Sequence, residues 1–545
     1  MLEMIQLSSL ENILPKFSQT FTPVSKLQVF AGEYASWQIA CRMDRTDEYR
    51  ITLESDIREH LQLFRVVCVP VMRAIFNTCT MDDPQYLGKE AGMYPDLLEP
   101  MEGETFRGSY HYQGFWIAAD DTVPAGTHRA TVTIRRDEEV AQATMTLEVL
   151  PQALPPQKLK YSISVHGDCL ADYYGVEVFS EAHWQLLEDF IRCSARLGSN
   201  MLVPPVITPP VDTAVGGQRR TVQLVRIHKE GDRYTFDFSL FRRYIAMCLD
   251  AGITDFFMPQ FFTQWGAAYC PKIEIWENGQ CRSCFGWETE STDPKYLAFL
   301  QQFLPALLAQ LRQLGLEKHT MFSISDEPFG DEAVARYATL SAFLKPLLED
   351  FPTIDAFTNF EHYRTSGAQL PLIPTDKVEG FVGKVPQLHV YYCCVQDYKV
   401  SNRLICMPSY RNRCFGYQLY RYQVTGFFHW ALNFYNAQLS VHPIDPYLVT
   451  DAEGGFPAGD AFSVYPGPCG PLPSLRSLVF REALQDLRAL QLLEDRIGRE
   501  STLRLLEECV GEVTFDRCAQ DAATILRLRQ KIAETYLQLT AEQKA

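Results

Sequence analysis

The chain has 545 residues, 46% hydrophobic and 21% charged, the balance of a soluble globular protein long enough for two or three domains. Lys and Arg number 50 against 67 Asp and Glu, and the net charge of −17 argues against a nucleic-acid backbone or an anionic membrane as the main partner. The opening MLEMIQLSSLENILPKF lacks a basic stretch followed by an apolar run, and no segment reaches transmembrane length, so the expected address is cytoplasmic and the 16 cysteines read as reduced thiols.

Residues 1–150 read as an all-β domain. Short alternating or apolar runs at 26–30, 36–40, 61–67, 110–117 and 144–150 are separated by turn formers such as Pro124 and Gly126, which predicts a β-sandwich. No nucleophile or metal set falls there, so its expected role is support or interface. The Pro-rich stretch 151–156, PQALPP, reads as a stiff linker.

From residue 157 to 500 the rhythm changes to strand, loop and helix. Predicted strands lie at 159–166, 200–207, 253–262, 321–325, 353–359, 378–382, 388–394 and 426–433. Predicted helices lie at 181–197, 239–251, 293–314 and 331–351. The first carries Trp184, Leu187, Phe190, Ile191 and Leu197 at helical spacing, and the third opens on Asp293-Pro294 and stops at Gly315. Eight strands alternating with helices predict a (β/α)8 barrel, with no clear helix between the sixth and seventh strands. The fold class is therefore a multidomain β plus α/β protein. The chain is helical from Ser474, and 501–545 form a C-terminal helical extension.

In such a barrel the chemistry sits at the C-terminal ends of the strands. The fourth strand ends in MFSISDEPFG, where Asp326 and Glu327 are adjacent. Two acids at the end of a buried strand are costly without a purpose. Pro328 removes a backbone N–H and biases Glu327 toward an extended conformation. The bland alternative is a solvated Asp-Glu-Pro turn. The same rule selects His166 and Asp168, Gln260 and Trp265, Asn359 and Glu361, Tyr391, Tyr392 and Gln396, and Trp430, Asn433 and Tyr435. Carboxylates, amides and aromatic faces together suit a sugar ring, and Trp265, Trp276, Trp287 and Trp430 are candidate stacking platforms.

Adjacency of the acids narrows the reaction. A nucleophile and a separate acid need carboxyls about 5 Å or more apart on opposite sides of the anomeric carbon. A substrate-assisted route suits neighbours better: the sugar's 2-acetamido oxygen attacks, one acid orients the acetamide N–H, and the other protonates the leaving oxygen. The Gly- and Pro-rich stretch 451–473 follows the eighth strand and is expected to be a long loop that closes over the sugar, with Asp460 and Arg476 bracing it or touching substrate.

Two competing patterns involve cysteine. Cys270, Cys281 and Cys284, spaced C-x10-C-x2-C, suggest a zinc knuckle but lack a second C-x2-C. Cys393 and Cys394 have no histidine fixed in a productive geometry for a thiol enzyme.

The Asp326-Glu327-Pro328 strand end resembles the Asp-Glu pair of family 123 glycoside hydrolases, retaining β-N-acetylgalactosaminidases built as a β-sandwich followed by a (β/α)8 barrel. The stretches Gly426-Phe427-Phe428-His429-Trp430-Ala431-Leu432-Asn433, Gly459-Asp460, Tyr465-Pro466-Gly467, Ser474-Leu475-Arg476 and Arg481-Glu482-Ala483-Leu484-Gln485-Asp486 resemble the associated domain of unknown function 4091. Ala483-Leu484 departs from an expected Gly-Ile-like pair. The N-terminal Gly32-Glu33 and Gln38-Ile39 are similar to the family's opening sandwich. The resemblance implies that Asp326 orients the acetamide and Glu327 is the general acid/base. It implies hydrolysis of a terminal β-linked 2-acetamido sugar, N-acetylgalactosamine first. From the strand-end rule and the 451–473 loop, the expected substrate-binding residues are His166, Trp265, Asn359, Tyr391, Trp430, Asn433, Asp460 and Arg476. No cofactor and no metal are required. The expected partner is a small oligosaccharide or glycoconjugate, and a homo-oligomer is compatible with the chain. A catalytically inactive carbohydrate-binding barrel, or a glycosidase of another sugar specificity, stays open.

Overall fold

The computed structural model describes residues 2–108 and 110–542; Met1, Ser109 and the last three residues of the expected 501–545 extension lie outside the described residues. The N-terminal region holds two five-stranded sheets. In one, Glu3–Ser8, Ala35–Arg42, Tyr112–Ala119, Leu61–Val71 and Gly92–Pro100 lie side by side. In the other the order is Lys26–Ala31, Glu139–Ala153, Gly126–Arg136, Glu48–Ser55 and Thr105–Arg107. Alternate residues of each strand point to one face. Trp37, Ile39, Phe115 and Ile117 from the first sheet therefore meet Ile51, Val132, Ile134 and Leu147 from the second in one apolar core.

The stretch expected to be a linker is partly strand. Glu139–Ala153 runs through Pro151 and pairs in parallel with Lys26–Ala31, with a register shift between Leu150 and Ala153. Such an irregularity accommodates a residue that cannot donate to the ladder.

The barrel strands, in chain order, are Lys160–Ile163, Met201–Leu202, Asp255–Met258, Thr320–Phe322, Ile354–Ala356, Leu370–Pro374, His389–Tyr391 and Gly426–His429. They form one parallel eight-stranded sheet from the fourth strand round through the first and eighth to the fifth. A single parallel bridge, Phe322 to Thr353, joins the fourth strand to the fifth and closes the barrel. The sixth strand is not at 378–382, which falls on the end of the short 3-10 turn Thr375–Gly380 and on Phe381 and Val382. It is LPLIP at 370–374, whose two prolines disguise it in sequence. Helices Glu181–Arg196, Ser239–Asp250, Pro294–Gln313 and Asp331–Leu348 wrap the first half of the barrel, and the short Phe360–Ser366 follows the fifth strand. Between the sixth and seventh strands there is only the 3-10 turn.

The stretch 451–473 is not an open loop. Most of it is buried, and its second half forms a hairpin, Val464–Gly467 against Gly470–Pro473.

Helix Leu475–Ile497 is buried along most of its length and lies between the barrel and the N-terminal sheets. Glu482 accepts the hydroxyls of Ser9 at 2.7 Å and Ser36 at 2.5 Å and pairs with Arg413 at 2.6 Å. Gln485 holds both backbone groups of Tyr34, and Asp486 takes two hydrogen bonds from Arg413. Arg529, on the last helix Ala522–Glu542, pairs with the fully buried Glu33 at 2.6 Å. Gly416 lets the short helix Phe415–Arg421 approach: a Cβ there would lie 2.1 Å from the Ala483 carbonyl oxygen.

Candidate active site

A cavity of about 240 Å³ opens at the C-terminal ends of the barrel strands, the scale of one small ligand. Val165, Val203, Phe257, Leu372 and Phe428 supply apolar wall, and Asp326, Glu327, Asp355, Asp212 and Asp460 supply carboxyl groups.

Both acids of the pair line this cavity. Glu327 is not extended: its φ is +41°, in the left-handed region that a non-glycine residue rarely adopts. Strain of this kind costs on the order of 1–3 kcal/mol and persists only where surrounding contacts hold it. Those contacts are visible. Phe262 N donates to Ile324 O at 3.0 Å, Trp265 N donates to Asp326 O at 2.7 Å, and Ser325 Oγ donates to Thr263 O at 2.8 Å. Tyr391 Oη, from the seventh strand, donates to Glu327 Oε1. The reversed backbone is how two neighbours on one chain face one cavity.

Burial, then the charges of Glu327 and Asp355, push Asp326 well above the usual carboxylate range. Asp326 therefore keeps its proton at a pH where an isolated acid would have lost it. Burial also raises Asp355 to about 7, Asp460 to about 7 and Asp212 to about 6.

His166 forms part of the wall after the first strand, with both ring nitrogens engaged. Nδ1 lies 3.1 Å from Arg219 Nη2 and Nε2 lies 3.0 Å from the Trp430 carbonyl oxygen. Arg219 can only donate, so Nδ1 accepts and Nε2 carries the proton. Burial and the adjacent Arg219 push this imidazole down to about 4, so it stays neutral. Arg219 also grips Asp168 with two hydrogen bonds, at 2.7 and 2.8 Å. Burial opposes the charge on Asp168, yet Arg219 keeps it below the usual range.

Trp265 lines the cavity with 54% of its surface exposed, the most open aromatic ring of the wall. Trp430 lines it too, packed on Phe434 and Phe456, and its Nε1 donates to Asp460 Oδ2 at 3.1 Å. Asp460 Oδ1 is buried without a protein partner among the described residues. Trp276 stacks on His228 in a side hairpin and Trp287 packs on Tyr269, and neither lines the cavity.

Three residues expected to bind substrate lie elsewhere. Asn359 is exposed and caps helix Phe360–Ser366 by accepting from Glu361 N and His362 N. Asn433 is buried behind the wall, where it accepts from His166 N at 2.9 Å and donates to His166 O at 3.1 Å, positioning that histidine. Arg476 is buried in an ion pair with Asp96. Asp212, Arg219, Gln264 and Asp355 line the cavity and lie outside the set expected from the sequence. Asp355 had a readable signal, a lone acid inside the apolar strand Ile354-Asp355-Ala356.

Cys270 is buried beside Glu290, while Cys281 and Cys284 sit on the hairpin strand Gln280–Phe285. Among the described residues no group of three His, Cys, Asp or Glu side chains could hold a metal ion. No helix of the described residues is long and apolar enough to cross a membrane.

The profile of the family described as glycoside hydrolase 123, catalytic domain, matches residues 165–493, more than half of the chain. None of the curated proteins matches the sequence. Among solved structures, a family 123 glycoside hydrolase from Clostridium perfringens, studied for glycolipid glycan hydrolysis, aligns over 99% of this chain and 99% of its own with a TM-score of 0.73 and 13% identity. A Parabacteroides merdae β-glucuronidase aligns over 88% of this chain and 51% of its own at a TM-score of 0.33 and 9% identity. A Dictyoglomus thermophilum β-D-glucuronidase aligns over 89% and 97% at 0.34 and 8%. With Asp326 and Glu327 inside the matched segment and at the cavity wall, this chain belongs to glycoside hydrolase family 123.

Proposed function

We propose that the protein removes a terminal β-linked 2-acetamido sugar, N-acetylgalactosamine foremost, by substrate-assisted retaining hydrolysis. The observation that carries this reading is the left-handed backbone at Glu327, which turns two adjacent carboxyls into one cavity. In the first step the acetamide oxygen bonds to the anomeric carbon as the glycosidic bond breaks. Asp326 accepts and polarises the acetamide N–H, and Glu327 gives its proton to the departing oxygen. In the second step water adds to the anomeric carbon, the bond to the acetamide oxygen breaks, and Glu327 takes the water's proton. The first step needs one proton on the acid pair, and the burial of Asp326 favours its retention there. Trp265 offers a flat face to the sugar's C–H surface, and Trp430, held by Asp460, forms another part of the wall. The two N-terminal sheets, read as a β-sandwich, support the barrel. A cytoplasmic address implies short, imported oligosaccharides as substrates.

The test compares aryl β-glycosides of N-acetylgalactosamine, N-acetylglucosamine and galactose, using the wild type, Glu327→Gln and Asp326→Asn. Cleavage of a 2-acetamido glycoside alone is expected, with kcat falling on the order of 10²–10⁴-fold in Glu327→Gln. Cleavage of the plain galactoside would overturn the assisted mechanism. Sugar binding without turnover would overturn the hydrolytic reading.

A further inference from the structure

The segment that carries the acid pair is held unequally on its two sides. Toward the loop that follows the third strand it has the three hydrogen bonds with residues 262–265 described above. Toward the fifth strand, backbone pairing ends at the single bridge between Phe322 and Thr353. Beyond that bridge the connection is one side chain. The Asp355 carboxylate accepts the backbone N–H of Ile324 at 2.9 Å and the hydroxyl of Ser323, and the amide of Ser325 also bonds to it. Tyr337 Oη, from helix Asp331–Leu348, donates to the same carboxylate. Asp355 is 2% exposed, yet it lines the cavity and its charge acts on Asp326.

An apolar residue would be the ordinary occupant of this layer of a barrel, and a buried carboxyl there is costly unless it is used. We propose that Asp355 is a positioning residue for the acid pair: it replaces the missing ladder by gripping Ser323–Ser325, so that Asp326 and Glu327 face the cavity, and it sets a third carboxyl against Asp326. This inference rests on the hydrolytic reading above.

The titratable groups around Asp355 are Asp326 from the fourth strand and Tyr337 from the helix, with Glu327 and Tyr391 of the seventh strand beyond Asp326. Like charge raises proton affinity. Removing the charge of Asp355 therefore lets the proton held at Asp326 leave at lower pH, and the basic limb of the activity profile moves toward acid. A bracket with a purely structural role would lower kcat and leave that limb in place.

The experiment measures kcat/KM against pH for the cleaved aryl glycoside with wild type, Asp355→Asn, Asp355→Glu and Ser323→Ala. For Asp355→Asn a fall of at least tenfold at the optimum is expected, with the basic limb moved down by half a pH unit or more. Asp355→Glu and Ser323→Ala keep the charge, so both are expected to lose kcat with the limb unmoved. An Asp355→Asn enzyme within twofold of wild type, or one impaired with an unmoved limb, would overturn the proposal. If Asp355→Asn does not fold, the other two carry the test, and wild-type kcat in both would overturn it. Wild type that turns over no glycoside would refute the hydrolytic reading instead. The carboxyl titration of 13C-Asp-labelled wild type and Asp355→Asn, followed by NMR, would then still show whether Asp326 moves.

Discussion

Replacing Arg476 by Met tests whether this arginine acts inside the fold or at the substrate. Arg476 is 4% exposed, and its Nε and Nη2 bond the two oxygens of Asp96 at 2.8 and 3.0 Å. Nη1 donates to the carbonyls of Arg403 and Gly459, both at 2.8 Å, and Nη2 donates to that of Phe462 at 3.0 Å. After the change Asp96, itself 0% exposed, would keep the Tyr465 hydroxyl at 2.7 Å but no cation. Stranding one member of a buried pair costs about 3–5 kcal/mol. Three unmade carbonyl bonds add about 1 kcal/mol each, partly offset by the apolar contacts of Met. The expected loss is about 5 kcal/mol, set against a total stability that is typically about 5–15 kcal/mol. The assay is urea unfolding followed by tryptophan fluorescence and circular dichroism. A second variant, Arg476→Met with Asp96→Leu, removes the stranded charge and is expected to recover more than half of the loss. A single-variant loss below about 1 kcal/mol, or no recovery in the double variant, would refute the reasoning. Gly459 and Phe462 flank Asp460, so KM is expected to rise more than kcat falls in whatever fraction stays folded.

Trp265→Ala should leave folding unchanged, since the ring is 54% exposed, and raise KM about tenfold, equivalent to about 1.4 kcal/mol of lost stacking, in steady-state kinetics. Asn433→Ala removes both bonds to the backbone of His166, so a destabilisation of about 1–3 kcal/mol and a lower kcat/KM are expected in thermal unfolding and turnover assays. The unfolding midpoint should fall as pH rises from about 6.5 to 8. Asp355 and Asp460, raised to about 7, and Asp212, raised to about 6, bind protons in the folded state that the unfolded chain has already released, so their contribution is lost as pH climbs through those values. Below about pH 6.5, His166 and His389, pushed down to about 4, act in the opposite sense, because the unfolded chain then binds more protons. A midpoint that rises between pH 7 and 8 would contradict this.

The sequence carried the barrel where strands were apolar and helices well capped: Asp293 does cap its helix, accepting from Lys295 N at 2.7 Å. It hid the sixth strand because Pro371 and Pro374 are residues expected to end strands, whereas a short parallel strand at this place tolerates them. Asp326 and Glu327 could be read because adjacent acids at an apolar strand end conflict with burial. Their joint orientation could not, since Pro328 argues for an extended Glu327, and the left-handed backbone is held by tertiary contacts from the 262–265 loop, Asp355 and Tyr391. Asn359, Asn433 and Arg476 have side chains suited to a sugar and stand near strand ends or the mouth loop in sequence. A helix cap, a backbone clamp and a buried ion pair use the same side-chain types, and the difference lies in tertiary partners. Arg219 and Asp212 come from the irregular 203–225 segment, where no periodicity points toward the barrel mouth.

The grip of Glu482 on Ser36 spans 446 residues, and that of Arg529 on Glu33 spans 496. At a synthesis rate of about 5–20 residues per second, the outer face of strand Ala35–Arg42 waits roughly 20–90 s on the ribosome before the helix that covers it exists. During that interval the first sheets can close their shared apolar core but not satisfy Glu33, Ser9 or Ser36. The helices after the barrel are therefore the latch for the sheets before it, and a chain cut short after the barrel would fail in those sheets.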